Sequence, residues 1–352
     1  MKVLIIGPSW IGDMVMAQSL FRCLHALDSQ TVIDVLALDW TRELLARMPE
    51  VNQAITMPIG HGKLALGKRR LLGKALQAEG YQQAIVLPNS FKSALIPFFA
   101  KIPKRTGWRG EARGWLLNDC RKLDKQRYPL MVERFAALGV PANFSLSEPA
   151  LPEPLLRPAL KVSTDTQAVL DKFELQNNRP ITIFCPGAEF GSSKKWPEAH
   201  FAQVADSLIN AGKQVWLMGS KNDAQTTKNI IDTIQPEHKK YCVSLAGLTS
   251  IGEAIDLMSL AQTVVSNDSG LMHIAAALDK SLVVVYGSTS AEFTPPLSGR
   301  VEILNLKLPC SPCFKRECPL GHHDCLNTLS PMLVLDAIRK INSEINSEIG
   351  EA

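Results

Sequence analysis

Both halves of the chain repeat one pattern: a short apolar, β-branched run ends at a polar loop rich in glycine, and a helical pattern follows. Alternation of this kind predicts parallel sheets with crossover helices, and therefore an α/β fold. The apolar runs are residues 3–6, 32–38 and 84–87 in the first half and residues 181–185, 214–218, 263–266 and 281–286 in the second.

A proline-rich stretch separates the two halves. Pro149, Pro152, Pro154 and Pro158 interrupt a segment without strong periodicity, which is typical of a linker. At 352 residues the chain exceeds the usual size of a single domain. We therefore expect an α/β N-terminal domain over residues 1–160, an α/β C-terminal domain over residues 161–330 and a C-terminal helix over residues 331–352.

The N-terminus and the overall charge exclude several classes of protein. The first apolar run stops at Gly7, before it reaches the length of a signal peptide, and no segment approaches the roughly 20 apolar residues of a membrane span. We expect a cytoplasmic protein, for which contact with a membrane surface stays open. The net charge of +4 is too small to indicate nucleic-acid binding by itself.

The first polar loop, residues 7–13, reads Gly-Pro-Ser-Trp-Ile-Gly-Asp and lies between a predicted strand and a predicted helix. It lacks the Lys-Ser/Thr of a phosphate-binding loop, and it contains no G-x-G-x-x-G. What remains is a carboxylate, Asp13, beside a glycine turn. From spacing alone Asp13 is equally well interpreted as a helix cap or as a catalytic base.

Two further loops could hold an anionic ligand. Residues 186–197 combine Gly and Ser with Lys194 and Lys195, which suits a diphosphate, although a solvated loop would read the same. Residues 265–273 read Val-Ser-Asn-Asp-Ser-Gly-Leu-Met-His. There Ser269 and Gly270 would point amides at a phosphate from a helix N-terminus, and Asp268 could accept bonds from sugar hydroxyls. The alternative is a capped helix with a buried histidine.

Charge is concentrated in residues 101–127. This segment carries nine Lys or Arg and three acidic residues, with Trp108 and Trp115 interleaved. A basic patch with aromatics could meet nucleic acid or a phosphorylated glycolipid on an anionic bilayer, and it could equally be a solvated face.

Four cysteines and two histidines lie within residues 310–325. The thiols of Cys310, Cys313, Cys318 and Cys325 are dense enough to hold zinc or an iron–sulfur cluster in a structural role, although their spacing matches no standard finger. The other four cysteines are expected to be reduced, because disulfide frameworks are rare in reducing compartments.

The order of the three loops closely resembles that of the lipopolysaccharide heptosyltransferases, glycosyltransferase family 9. Residues 88–94, Pro-Asn-Ser-Phe-Lys-Ser-Ala, and residues 105–110, Arg-Thr-Gly-Trp-Arg-Gly, favour the members that add the second inner-core heptose. The resemblance runs from Met1 to about Pro296 and fades over the cysteines. It implies a GT-B architecture, in which two Rossmann-like domains face an interdomain cleft and bind acceptor and donor respectively.

The resemblance also implies a reaction. An inverting enzyme would transfer L-glycero-D-manno-heptose from ADP-heptose to heptosyl-Kdo2-lipid A, with no cofactor required and no nucleic-acid partner. Asp13 matches the general base, and Lys194 matches the lysine that neutralises the donor phosphate. The donor-binding residues would be Lys195, Asp223, Asp268, Ser269, Gly270 and His273. The acceptor-binding residues would be Ser9, Trp10, Lys92, Arg105 and Arg109.

Two alternatives stay open at this point. Within the enzymes, the chain could be a heptosyltransferase of type I or III, or another GT-B transferase with a different acceptor. Outside the enzymes, it could be a metalloprotein that uses its cysteine cluster structurally and binds anionic polymers through residues 101–127.

Overall fold

The computed structural model describes residues 1–60, 62–141 and 151–350, and the side chains of residues 344–350 are outside it. The chain divides into two compact units. Unit 1 comprises Met1–Lys161 with Glu292–Thr294, and unit 2 comprises Val162–Ala291 with Pro295–Ala352. Pro149, the first proline of the predicted linker, lies outside the described residues. The C-terminal helix belongs to unit 2.

Unit 1 is built on a six-stranded parallel sheet with the order β3-β2-β1-β4-β5-β6. Its strands are β1 (Lys2–Ile6), β2 (Val32–Ala37), β3 (Val51–Thr56), β4 (Gln83–Val86), β5 (Lys104–Trp108) and β6 (Asp119–Arg121). Its helices are α1 (Ile11–Leu27), α2 (Arg42–Leu45), α3 (Leu66–Ala75), α4 (Phe91–Phe99) and α5 (Met131–Ala136).

Unit 2 repeats this plan with the strand order β12-β11-β10-β7-β8-β9. Its strands are β7 (Ile181–Cys185), β8 (Gln214–Leu217), β9 (Cys242–Ser244), β10 (Thr263–Asn267), β11 (Ser281–Val285) and β12 (Val301–Leu304). Its helices are α6 (Gln167–Lys172), α7 (Glu198–Asn210), α8 (Ala224–Thr233), α9 (Ile251–Ser259), α10 (Gly270–Ala277), α11 (Asp324–Asn327) and α12 (Pro331–Gly350).

The strand order reverses at the middle of each sheet, between β1 and β4 in unit 1 and between β7 and β10 in unit 2. Loops that leave the carboxyl ends of such neighbouring strands diverge, and the crevice between them is where open α/β sheets bind ligands. All three polar loops of interest follow one of these strands. Both sheets are therefore organised around a predicted ligand position.

The buried strands of the sheets match the apolar runs of the sequence because strands covered on both faces contain few polar residues. β7 coincides with residues 181–185, and every one of its five residues is buried. The basic segment at residues 101–127 is not a uniform surface, since it contains β5 and β6. These two strands contain several polar residues, so the apolar pattern did not reveal them.

Glycine marks the close approach of α3 and α4. A Cβ atom added at Gly73 would lie 2.6 Å from the Cβ of Phe99 and 2.8 Å from the carbonyl oxygen of Ile96. A Cβ added at Gly67, in the same helix, would have no neighbour within 4 Å. The two positions therefore differ in packing and share their secondary structure.

We predict opposite effects of alanine at these two positions. Gly73→Ala should lower the free energy of unfolding by about 1–3 kcal/mol through overpacking. Gly67→Ala should raise it by a few tenths of a kcal/mol, up to about 1 kcal/mol, because alanine loses less backbone entropy than glycine when it becomes helical. Urea denaturation of both variants checks this, and a Gly73→Ala protein as stable as wild type would contradict the described contact.

Candidate active site

In unit 2 the loops after β7 and β10 are tied together by Asn267. Its Oδ1 accepts a bond from the Trp196 amide at 3.2 Å, and its Nδ2 donates to the Pro186 carbonyl at 2.7 Å. Asn267 is fully buried, and the Trp196 indole donates to the Leu329 carbonyl at 3.0 Å. Because buried polar groups are costly to leave unpaired, this arrangement fixes one loop against the other.

The fixed loops bring Lys194 and Asp268 into contact. Lys194 Nζ lies 2.6 Å from Asp268 Oδ2, with the two side chains 14% and 5% exposed. Thr289, which follows β11, donates its hydroxyl to the same Oδ2 at 2.5 Å. Lys194 Nζ also lies 5.1 Å from the centre of the Phe190 ring. A cation is thus held where the strand order reverses, which is the position at which open α/β sheets bind ligands.

Helix α10 begins at the same place. Ser269 is its N-cap residue, and Gly270 is its first residue. Amides at a helix N-terminus attract anions because they are unpaired within the helix. His273, one turn along, is buried, and burial lowers its pKa to about 4. Its imidazole is therefore neutral at physiological pH.

Asp223 lies beside these loops and is held by its own turn. Its Oδ2 accepts bonds from the Ser220 amide at 2.9 Å and the Ser220 hydroxyl at 2.8 Å. Lys195 Nζ lies 3.7 Å from its Oδ1. Gly187 and Gly219 leave room for it, since a Cβ at either position would collide with its side chain.

Glu189 is a neighbouring carboxylate that the sequence analysis missed. It is exposed, and its Oε1 lies 3.0 Å from the Ser220 hydroxyl oxygen, so it competes with Asp223 Oδ2 for the single proton of that hydroxyl. Nothing in the local sequence indicates that this glutamate lies close to Ser220. The distance to Ser220 arises only because β7 and β8 are neighbours in the sheet.

Unit 1 has a cavity of about 390 Å³ at its own point of strand reversal. The loop after β1 lines it with Pro8 and Ser9, and the loop after β4 lines it with Asn89 and Ser90. Further charged lining residues are Arg69, Lys92 and Glu111.

Asp13 is the third residue of α1 and is half-buried. It lies in the first turn of this helix, which follows the loop that lines the cavity. The N-cap residue of α1 is Trp10, so Asp13 is not the residue at that position. From this third position a carboxylate can accept a hydrogen bond from an amide of the first turn, so the structure is compatible with both interpretations left open by spacing. The carboxylate lies in the first turn, where the helix dipole stabilises its charged form.

The predicted acceptor residues fall into three groups. Ser9 and Lys92 line the cavity. Trp10 is 50% exposed, and Arg109 lines a separate surface concavity. Arg105 does neither, because its Nε donates to the Leu116 carbonyl at 2.7 Å and its Nη1 donates to the Ile102 carbonyl at 2.5 Å. Arg105 is half-buried, and its guanidinium is bonded to the backbone of unit 1.

Arg113 is a fully buried cation that the sequence analysis counted only as part of a basic segment. Its Nη2 donates to the Trp108 carbonyl at 2.7 Å and to Asn89 Oδ1 at 2.9 Å, and its Nη1 donates to the Pro88 carbonyl. Burial lowers its pKa below the usual arginine value. Arg113 therefore fixes the loop that lines one side of the cavity.

The cysteine-rich segment, residues 310–325, forms hydrogen bonds with the loops that follow β7 and β11. The Ser193 amide donates to the Arg316 carbonyl at 3.2 Å, and the Phe314 amide donates to the Ser288 carbonyl at 2.8 Å. A Cβ at Gly191 would collide with the Arg316 backbone, so the two segments touch there.

The predicted structural metal at Cys310, Cys313, Cys318 and Cys325 is not supported. All eight cysteines are free. Within the residues that the structure describes, no group of three or more His, Cys, Asp or Glu side chains is arranged to hold a metal ion. Local spacing suggested a site that the placement of the side chains does not form.

The chain belongs to glycosyltransferase family 9 (heptosyltransferase), whose family model matches residues 69–323. This match continues through Cys310, Cys313 and Cys318, so the expectation that the resemblance fades after about Pro296 was wrong. The helices of the described residues include none with both the length and the apolar composition needed to cross a membrane.

Relatives that are similar over nearly the full length of the chain show which members of the family it resembles. The chain is 49% identical to lipopolysaccharide heptosyltransferase 2 of Salmonella typhimurium, covering 98% of this chain and 99% of that protein. It is 48% identical to lipopolysaccharide heptosyltransferase 2 of Escherichia coli, covering 97% and 98% respectively. The solved structure of E. coli ADP-heptose LPS heptosyltransferase II superposes with a TM-score of 0.90 at 46% identity, covering 98% of this chain and 100% of that chain.

A more distant structure bears on the fold alone. E. coli heptosyltransferase WaaC with ADP superposes with a TM-score of 0.68 at 19% identity, covering 97% of this chain and 100% of that chain. Together with the two parallel sheets, these similarities establish the GT-B fold that the sequence predicted.

We predict that His273 makes stability depend on pH. Its folded pKa of about 4 lies below the unfolded value near 6.5, so its contribution is complete above pH 6.5 and is lost as pH falls towards 4. Between pH 6.5 and 5 the wild type should lose about 2 kcal/mol more unfolding free energy than His273→Gln. Urea denaturation of both proteins at the two pH values checks this, and parallel losses would contradict it.

Proposed function

We propose that this protein transfers heptose from ADP-heptose to heptosyl-Kdo2-lipid A during synthesis of the lipopolysaccharide inner core. The family and the near-full-length similarity to heptosyltransferases 2 support the reaction class. The observation that carries the proposal is the Lys194–Asp268 pair, which lies at the N-terminus of α10.

Unit 2 would bind the donor. The diphosphate would accept hydrogen bonds from the amides at Ser269 and Gly270 and from the Lys194 ammonium. As the bond from the anomeric carbon to the phosphate oxygen breaks, negative charge grows on the departing ADP. A fixed cation lowers the barrier because it stabilises this charge more in the transition state than in the ground state.

Asp268 would serve two purposes in this proposal. It positions the Lys194 ammonium through the 2.6 Å contact, and its remaining acceptor capacity is directed at the donor heptose. His273 supports the loop as a neutral, buried side chain. Asp223 and the neighbouring Glu189 would accept hydrogen bonds from the hydroxyls of the adenosine ribose. Lys195 would provide a second cation for the diphosphate beside Lys194.

Unit 1 would bind the acceptor in the cavity that Ser9 and Lys92 line, with Trp10 and Arg109 as further contacts. Asp13 would take the proton from the acceptor hydroxyl while that oxygen attacks the anomeric carbon, which inverts the configuration. We assign Arg105 a structural role, because its guanidinium is bonded to two backbone carbonyls. No step of this scheme is assigned to a metal.

The acceptor is anchored in a membrane by lipid A, so the proposal includes peripheral contact with the inner membrane. The basic side chains of unit 1 suit the phosphates and carboxylates of such an acceptor and an anionic bilayer.

We predict that Asp13→Asn lowers kcat by about 10²–10⁴-fold, because this substitution removes a general base and keeps the size of the side chain. The affinity for ADP should be unchanged, since unit 2 carries the donor residues. The measurement is the rate of ADP release with ADP-heptose and heptosyl-Kdo2-lipid A, together with calorimetry of ADP binding.

Asp28→Asn provides the matched control, since Asp28 is an exposed aspartate at the other end of the same helix. It should keep wild-type turnover. An Asp13→Asn protein that turned over at the wild-type rate would refute the assignment of the base. A wild-type protein that used only the Kdo2-lipid A acceptor would refute the choice of acceptor.

A further inference from the structure

We propose that Thr289 is a positioning residue for heptose transfer: its hydroxyl orients the Asp268 carboxylate so that this carboxylate can bind the heptose of the donor. The inference rests on the proposed function, since it names a further residue for the same reaction. Thr289 lies in the loop that follows β11 and is 7% exposed. It acts through Asp268 and needs no contact of its own with the donor.

Two hydrogen-bond donors converge on one oxygen of Asp268. The Lys194 ammonium lies 2.6 Å from Asp268 Oδ2, and the Thr289 hydroxyl donates to the same oxygen at 2.5 Å. Within the described part of the chain, Asp268 Oδ1 has no hydrogen-bond partner. The carboxylate thus has one oxygen that is held by the protein and one oxygen whose acceptor capacity is unused.

The ammonium of Lys194 cannot fix the orientation of this carboxylate by itself. The last torsion of an aspartate side chain is broad, and a lysine ammonium is a point charge on a flexible chain. The carboxylate could therefore rotate while the ammonium followed it. A second donor on a different loop narrows this rotation, because both bonds to Oδ2 are short only over a small range of the torsion angle.

The loop after β11 is itself held by hydrogen bonds on two sides. The Ser288 carbonyl accepts a bond from the Phe314 amide at 2.8 Å, and the Ser288 Oγ lies 3.0 Å from Ser193 Oγ. The Gly287 carbonyl accepts a bond from the Ser311 hydroxyl at 2.5 Å. These bonds tie the loop to the cysteine-rich segment and to the loop after β7. The hydroxyl of the next residue is therefore presented from a fixed position, which is the condition for orienting a charged group.

The donor presents two chemically different groups to this site. Its diphosphate accepts hydrogen bonds, which suits the Lys194 ammonium and the amides at the N-terminus of α10. Its heptose carries hydroxyls, and these can donate to the unused oxygen of Asp268. Loss of the Thr289 hydroxyl therefore disturbs the contact with the heptose and leaves the contacts with the diphosphate in place.

The orientation of the heptose bears on the rate as well as on the affinity. The acceptor oxygen attacks the anomeric carbon from the side opposite to the departing ADP, and misplacement of a reacting atom by about 1 Å can lower a rate by about 100-fold. A carboxylate that rotates would hold the sugar in several poses, of which few are productive. The Thr289 hydroxyl should therefore raise kcat in addition to the affinity for ADP-heptose.

The test compares ADP with ADP-heptose by calorimetry on the full-length protein. Thr289→Val keeps the shape of the side chain and removes its hydroxyl, whereas Thr289→Ser keeps the hydroxyl. In Thr289→Val the preference for ADP-heptose over ADP, given by the ratio of their Kd values, should fall about tenfold, the effect of one hydrogen bond to a charged group. Thr289→Ser should keep the wild-type preference, and ADP alone should bind both variants nearly as it binds wild type.

The matched control is Thr182→Val, the same substitution at a fully buried position of β7. The Thr182 hydroxyl has no hydrogen-bond partner among the residues that the structure describes, so its loss should leave both affinities and kcat unchanged. In the transfer assay kcat should fall about tenfold in Thr289→Val and should be restored in Thr289→Ser. If urea denaturation shows that Thr289→Val does not fold, Thr289→Ala removes the same hydroxyl with a smaller side chain and should show the same change in preference.

The inference is overturned if Thr289→Val keeps the wild-type preference for ADP-heptose, or if Thr289→Ser loses as much of it as Thr289→Val does. Equal losses of affinity for ADP and ADP-heptose would also overturn it, because the hydroxyl would then serve the diphosphate or the packing of unit 2. Absence of heptose transfer by wild type would instead refute the proposed function, and the preference for ADP-heptose would still test the role of Thr289.

Discussion

The ion pair between Lys194 and Asp268 is the contact on which the proposed chemistry depends. Removing two charges from water is costly unless they meet each other and further hydrogen-bond partners, and Thr289 supplies one such bond. The two residues lie 74 positions apart, and the reversal of strand order between β7 and β10 brings them together. Asn267 fixes the loops that carry Lys194 and Asp268 through buried hydrogen bonds to Trp196 and Pro186. These bonds therefore set the position of the ammonium.

In each unit, hydrogen bonds from a buried polar side chain fix a loop that faces a proposed ligand position. In unit 1 the fixing residue is Arg113, which holds the loop after β4 through Pro88 and Asn89. In unit 2 it is Asn267, helped by the cysteine-rich segment that bonds to Ser193. A bond between rigid elements keeps a site preorganised, which is the condition for strong electrostatic stabilisation of a departing diphosphate.

Residues in local patterns could be predicted from the sequence, and residues defined by tertiary contacts could not. The apolar run at residues 181–185 predicted both ends of β7 correctly, because buried parallel strands are continuously apolar. Lys194 and Asp268 were predicted as site residues because they lie in polar loops that follow such strands and match the motifs of the family. Arg105 was predicted to bind the acceptor and Arg113 was counted only as part of the basic segment, whereas both donate to backbone carbonyls of unit 1. The thiols of residues 310–325 suggested a metal because spacing carries no information on where the sulfur atoms point.

A double-mutant cycle on ADP binding tests the central claim most directly, since ADP lacks the heptose that Asp268 could also contact. Calorimetry would compare wild type, Lys194→Met, Asp268→Asn and the double variant. If Asp268 acts by positioning the ammonium, Lys194→Met should weaken ADP binding by roughly 10–100-fold, as expected for a charge-assisted bond, and Asp268→Asn should have no further effect in that background. Undiminished ADP affinity in Lys194→Met, or fully additive losses in the double variant, would contradict the claim.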